Sequence, residues 1–142
     1  MASSIKSWYT VVNTTKYIGT KAPYCRSTWE LAFCRSCDGD PRVIKWAHEP
    51  LKILYINPAN PTKYSVYVPD FFIMYVDKRG KKRAELIEIK PAKESNLKEA
   101  KSKRDKERVI VNAAKWQAAQ EYCKKHGMNF KVITEKEMFK NG

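Results

Sequence analysis

The chain has 142 residues, 43% hydrophobic and 12% aromatic, which is enough to bury one core and excludes a disordered chain. Lys and Arg number 28 against 15 Asp and Glu, and the resulting formal charge of +13 favours a polyanionic partner, above all nucleic acid. No apolar run approaches the roughly 18 residues of a membrane span, and Met1 to Tyr9 has one Lys and no apolar stretch, so neither a membrane partner nor a secretory leader is expected.

Residues 1–24 are mixed and carry no clear period. Ser27-Thr28-Trp29-Glu30 has the S/T-x-x-E form of a capping box, so a helix is predicted from Ser27 to about Cys37. Asp38-Gly39-Asp40-Pro41 is the expected stop. Val43 to Trp46 reads as an additional short strand, and Leu51 to Ile56 as the first of three main strands. The turn Asn57-Pro58-Ala59-Asn60-Pro61 leads to a second, Tyr64 to Val76, rich in β-branched and aromatic residues. Asp77-Lys78-Arg79-Gly80 reverses the chain into a third, Ala84 to Lys90. Short turns between neighbours predict an antiparallel meander.

Pro91 to Arg108 is dominated by charge and is expected to be mobile or to form the solvated start of a helix. From about Asp105 to Lys125 the pattern is helical, with Val109, Ile110, Ala113, Ala114 and Trp116 as the apolar stripe and Gly127 as the stop. Asn129 to Thr134 reads as a last strand and Glu135 to Lys140 as a closing helical turn. The predicted class is therefore α/β with a mixed sheet, as one domain over 1–142 with its core at about 24–136.

Four cysteines, Cys25, Cys34, Cys37 and Cys123, are expected as reduced thiols in the absence of a leader. Cys34 and Cys37 form a CxxC pair on one helix face, but the second pair of a structural zinc site is missing, and His48 and His126 show no matching spacing. Buried structural thiols are the reading taken.

The chemistry concentrates in two strands. Asp70 interrupts Val66-Tyr67-Val68-Pro69-Asp70-Phe71-Phe72-Ile73, where a lone buried carboxylate would be costly. Pro69 donates no ladder hydrogen bond, so the strand should open there. Glu88 and Lys90 stand at i and i+2, on one face, with Ile87 and Ile89 on the other. Asp70 lies nine residues before Arg79 and Glu88 eight after Gly80, so a hairpin sets them nearly opposite one another. Two carboxylates and a lysine on one face suit hydrolysis of a phosphodiester with a hard divalent cation, Mg²⁺. A short ExK also occurs as a plain surface pair; its company with Pro69-Asp70 and Glu30 favours a site. Glu30 has two readings: the carboxylate of the capping box, returning to the Ser27 N–H, or a further acidic ligand.

Ser27-x-x-Glu30, Pro69-Asp70, Glu88-x-Lys90, and the tail from Lys115-Trp116 through Tyr122-Cys123 and Gly127 to Val132-Ile133-Thr134-Glu135 together resemble the PD-(D/E)xK, restriction-endonuclease-like superfamily. Within it the chain resembles TnsA-like endonuclease domains and, more closely, head completion nucleases of tailed bacteriophages. The resemblance covers about residues 24–136. It implies an αβββαβ core with flanking helices and a DNA endonuclease whose catalytic residues are Glu30, Asp70, Glu88 and Lys90. It implies Mg²⁺, with Mn²⁺ as a substitute, held by Asp70, Glu88, Glu30 and the Ile89 carbonyl. It further implies DNA-end processing in head completion after packaging, portal or neck proteins as partners, and a place in the bacterial host cytoplasm and the virion. A non-catalytic DNA-binding virion protein and a transposon-end or repair nuclease stay open as alternatives. Gln117 and Tyr122 are one residue too far apart for the QxxxY motif of some relatives, and neither Gln117 nor Glu49 is assigned a role.

For DNA, the expected contacts are Lys78, Arg79, Lys81, Lys82 and Arg83 at the predicted hairpin tip, with Lys93 after the third strand. Such clusters bind phosphates without reading sequence. The later cluster, Lys98 to Arg108, is interleaved with Glu99, Asp105 and Glu107, which absorb part of its charge.

Overall fold

A computed structural model describes residues 6–138. Its centre is a four-stranded mixed sheet in the order β3-β6-β7-β8: β3 (Val43–His48), β6 (Phe71–Val76), β7 (Lys82–Ile89) and β8 (Asn129–Ile133). β3 and β7 run antiparallel to β6, and β8 runs parallel to β7. A parallel neighbour needs a long crossover, and α2 (Lys103–Lys125) supplies it. This is the mixed α/β, restriction-endonuclease-like sheet with flanking helices that the sequence predicts.

The sheet is covered on both faces. On one side α1 (Thr28–Gly39) packs Trp29, Cys34 and Cys37 onto Val43, Trp46, Phe71, Ile87 and Ile89. On the other, Ala119 and Cys123 of α2 meet Leu86 and the hairpin residues Ile53, Tyr55 and Tyr67. The alternation in β7 follows from strand pleating: Leu86 enters one core, and Ile87 and Ile89 the other.

Two expectations about the strands are corrected. The run Tyr64 to Val76 is two strands, not one. β5 (Tyr64–Tyr67) ends before Pro69, pairs only with β4 (Ile53–Ile56), and forms a separate two-stranded sheet. The antiparallel neighbour of β6 opposite β7 in the main sheet is β3, so the segment read as a minor strand joins the main sheet as its edge. Pro69 has no amide hydrogen to donate, which allows the chain to leave one ladder and enter another there.

The charged stretch after β7 is also more ordered than expected. Ala92–Glu94 makes a short 3₁₀ turn, Ala92 and Ala100 are buried, and the Asn112 side chain donates to the Glu94 carbonyl at 2.9 Å. α2 begins at Lys103, capped by Ser102, whose hydroxyl accepts the Asp105 amide at 3.0 Å. It ends as predicted: Gly127 adopts φ +67, a left-handed turn that glycine makes without strain, and the Met128 amide returns to the Cys123 carbonyl. The closing helix α3 is described over Glu135–Met138; residues 139 and 140 of that expectation lie outside the described residues.

Residues 6–26 form β1 (Ser7–Trp8), β2 (Tyr24–Cys25) and a covering loop. Ile18 donates to the Trp46 carbonyl and Trp46 to the Lys16 carbonyl, which closes the edge of β3. Asp38 anchors this loop. It is buried within α1 rather than breaking it, and accepts the Tyr9 hydroxyl at 2.6 Å and the Val12 and Asn13 amides at 2.7 and 2.9 Å. Burial pushes its carboxyl up, but those donors outweigh burial and hold it below the usual range. Asp38→Ala leaves three donors without their acceptor and is expected to lower unfolding free energy by about 3 kcal/mol, measurable by urea denaturation.

Candidate active site

Where β5 gives way to β6, a cleft of about 400 Å³ opens beside the C-terminal end of β7. Asp70 enters it just before β6 and Glu88 from β7. The β6–β7 register pairs Phe71 with Ile87, so the next residues outward, Asp70 and Glu88, face one another. The hairpin count in the sequence therefore holds. Lys90 lies just beyond the strand end, its Nζ 3.8 Å from Glu88 Oε2. Glu30 reaches the same cleft from the first turn of α1, and Ile89 lines it as well.

The two central carboxyls are held differently. Asp70 Oδ2 accepts the Ile89 amide at 2.8 Å on the β6 side of β7, just past the last β6–β7 pair, while the Lys90 amide bonds the Ile133 carbonyl of β8. Glu88 is buried, and its Oε1 accepts the Tyr67 hydroxyl at 2.7 Å. Burial pushes the Asp70 carboxyl well above the usual range; the charges of Glu88 and Glu30 add to this, while the Ile89 amide and Lys90 oppose it. Glu88 is likewise raised by burial, against Lys90, Tyr67 and Lys115. Two neighbouring acids that resist ionisation mark a site short of positive charge.

Glu30 keeps half of the capping box and also lines the cleft. Its amide donates to Ser27 Oγ at 3.1 Å, completing half of a capping box, and its carboxylate accepts the amide of Arg26 rather than of Ser27. The same carboxylate lines the cleft.

The oxygens of Asp70, Glu88 and Glu30 form a hard donor set, which fits Mg²⁺ or Mn²⁺ by ligand type. Residues 40–135 match the family of the TnsA-like endonuclease N-terminal domain. The chain belongs to that endonuclease family. It is also 34% identical over 135 residues to the head completion nuclease of Enterobacteria phage T4, a match spanning 87% of this chain and 86% of that protein. The TnsA-like match takes in Asp70, Glu88 and Lys90 and starts beyond Glu30.

Against that family background, the expected DNA contacts divide. Lys78, Arg79, Lys81, Lys82 and Arg83 sit at or beside the β6–β7 turn, and the six steps from Asp70 to Val76 put this tip about 20 Å from the carboxylates. Arg83 there pairs with Asp77 at 3.0 Å. Lys93 follows the cleft in the 3₁₀ turn. Nearer the cleft is a group that the sequence reading discounted: Arg104 and Arg108 of α2 line a groove together with Lys90. Arg108 is partly neutralised by Glu94 at 3.7 Å.

Of three further cleft residues, Tyr67 and Lys115 were missed and Glu49 was given no role although it could approach the site. Tyr67 was read only as strand filler. Glu49, left unassigned, lies at the cleft with φ 47, pairs with Arg26 at 2.9 Å, and donates its amide to the Asp70 carbonyl at 2.8 Å. Lys115, in the middle of α2, lies 5.9 Å from the ring centres of both Tyr55 and Tyr67 and lines the cleft. Its signal was a lysine beside the apolar stripe of a helix predicted to pack on the sheet. Burial and the charge of Lys90 lower its ammonium below the usual lysine range. Lys115→Met removes a second cation from the cleft and is expected to slow cleavage by about tenfold, roughly 1.4 kcal/mol, with the melting temperature unchanged.

Proposed function

We propose that this protein is a divalent-metal-dependent DNA endonuclease that uses Mg²⁺ at Asp70, Glu88 and Glu30, with the Ile89 carbonyl as a further ligand. The observation that carries the reading is the Asp70–Glu88 pair, opposed across β6 and β7, raised by burial, and flanked by Lys90. When bound, Mg²⁺ supplies charge against a phosphoryl oxygen and acidifies water. The chain's own groups do the rest. Asp70 is oriented by the Ile89 amide and Glu88 by the Tyr67 hydroxyl, so neither carboxylate must reorganise as substrate arrives. Lys90 stands beside Glu88, where its ammonium meets the scissile phosphate or, as the neutral amine, its Nζ takes a proton from the attacking water. Lys115 offsets charge from the helix side.

Duplex phosphates are held by the α2 arginines near the cleft and by the basic β6–β7 tip, about 20 Å away, a distance of roughly six base pairs. By its likeness to the phage relative, the biological role is DNA-end processing during head completion, with portal or neck proteins as partners, in the host cytoplasm and virion. The test is supercoiled plasmid incubated with Mg²⁺, Mn²⁺ or EDTA. Nicked and linear products with either metal and none with EDTA are expected; intact plasmid with both metals would refute the reading.

A further inference from the structure

A second group of ligating side chains lies beside the acidic cleft and is chemically unlike it. Cys25 of β2, Glu30 of α1 and His48 at the end of β3 are all buried, and one ligand atom from each lies within 4.8 Å of the others. His48 Nε2 is buried with no hydrogen-bond partner among the described residues, an orphaned imidazole nitrogen in a packed core. The other ring nitrogen, Nδ1, lies 3.8 Å from a Glu49 carboxylate oxygen, within reach of charge attraction but beyond hydrogen-bond distance. Cys34 follows Glu30 by four residues on α1 and its Sγ is 3.4 Å from Cys25 Sγ, but it stands outside this group of three.

We propose that Cys25, His48 and Glu30 form a site for a borderline-soft divalent cation, Zn²⁺ or its equivalent, beside the Mg²⁺ held by Asp70 and Glu88, with the Glu30 carboxylate shared between the two. Sulfur and imidazole donors select such an ion and repel Mg²⁺, which prefers oxygen and keeps its waters. The ion has structural work to do at this place. β2 is two residues long and pairs only with the equally short β1, and α1 carries Glu30 into the cleft. An ion bridging β2, α1 and β3 locks these three together and fixes the Glu30 carboxylate. The Cys34–Cys37 pair contributes no ligand to this group; its three donors come from three separate elements.

The test is titration of the metal-free protein with Co²⁺ in excess Mg²⁺, read by absorption. One equivalent is expected to produce a near-ultraviolet thiolate-to-cobalt band and intense visible bands of a tetrahedral ion. Cys25→Ser should remove the thiolate contribution of that residue, and His48→Asn should weaken Co²⁺ binding by about a hundredfold or more. Cys123→Ser, a buried thiol elsewhere, should leave the spectrum unchanged. Asp70→Asn should keep the cobalt spectrum while losing nuclease activity, so this site and the nuclease reading fail separately. If Cys25→Ser does not fold, the His48→Asn arm carries the result. No thiolate band in the wild type, or undiminished Co²⁺ affinity in folded His48→Asn, would overturn the proposal.

Discussion

Asp70→Asn is expected to abolish Mg²⁺-dependent cleavage, by about 10³-fold or more (roughly 4 kcal/mol), while making the metal-free protein more stable. Both effects have one cause. The Asp70 carboxyl is raised by burial and by Glu88 and Glu30, so ionising it in the folded chain costs free energy. A folded-state value above the unfolded one means that the stabilising contribution is complete below the unfolded value, about pH 3.9, and is lost as pH rises through the folded value. At neutral pH, where the unfolded chain ionises this group freely, its burial therefore costs the metal-free fold stability. Asn carries no charge and its carbonyl oxygen can still accept the Ile89 amide that Oδ2 accepts at 2.8 Å. The expected gain is about 1 kcal/mol, or roughly 3–5 °C in melting temperature. The gain should shrink as the pH is lowered towards 4. Mg²⁺ should raise the melting temperature of the wild type and leave that of Asp70→Asn unmoved. Equal melting temperatures at pH 8, with activity retained, would remove Asp70 from the site.

Lys90→Met should also lose cutting, by about 10³-fold, the range of a positioned acid–base or charge-stabilising group. Its effect on metal should be opposite in sign. The Lys90 ammonium lies 3.8 Å from Glu88 Oε2 and opposes the rise of both Asp70 and Glu88. Removing it leaves the two carboxylates with less competing positive charge, so Mg²⁺ or Mn²⁺ should bind as tightly as in the wild type or more tightly. Calorimetric titration of Mn²⁺, set beside plasmid cleavage, separates the two roles. A variant that loses metal and activity together would make Lys90 a support of the binding site instead of a participant in the reaction. Met keeps the aliphatic length, so packing beside Pro91 is preserved.

The local pattern already contained most of the geometry of the candidate site. Side chains alternate along a strand, so Glu88 and Lys90 had to share a face, and a tight turn at Gly80 had to bring Asp70 opposite Glu88. Helix signals were equally legible at Ser27 and Gly127, which act through hydrogen bonds that span three to five residues. These features depend on near neighbours in the chain. Membership of the endonuclease family was also readable from the order of the motifs, and the match over residues 40–135 agrees with it.

What the sequence could not decide was which strands become neighbours. Leu51 to Ile56 and Val43 to Trp46 both read as strands, and only packing put β3 in the main sheet and sent β4 and β5 to a separate hairpin. The same holds for Asp38, whose role as an anchor depends on Tyr9, Val12 and Asn13 more than twenty residues away. Lys115 comes to the carboxylates because α2 crosses the sheet, and Cys25, Glu30 and His48 meet because three elements pack together. The sequence by itself determined the faces, caps and turns, because backbone hydrogen bonding and side-chain alternation act over a few residues. Tertiary structure decided the sheet order and the company each polar group keeps, because burial and charge act through space between residues that the chain holds far apart.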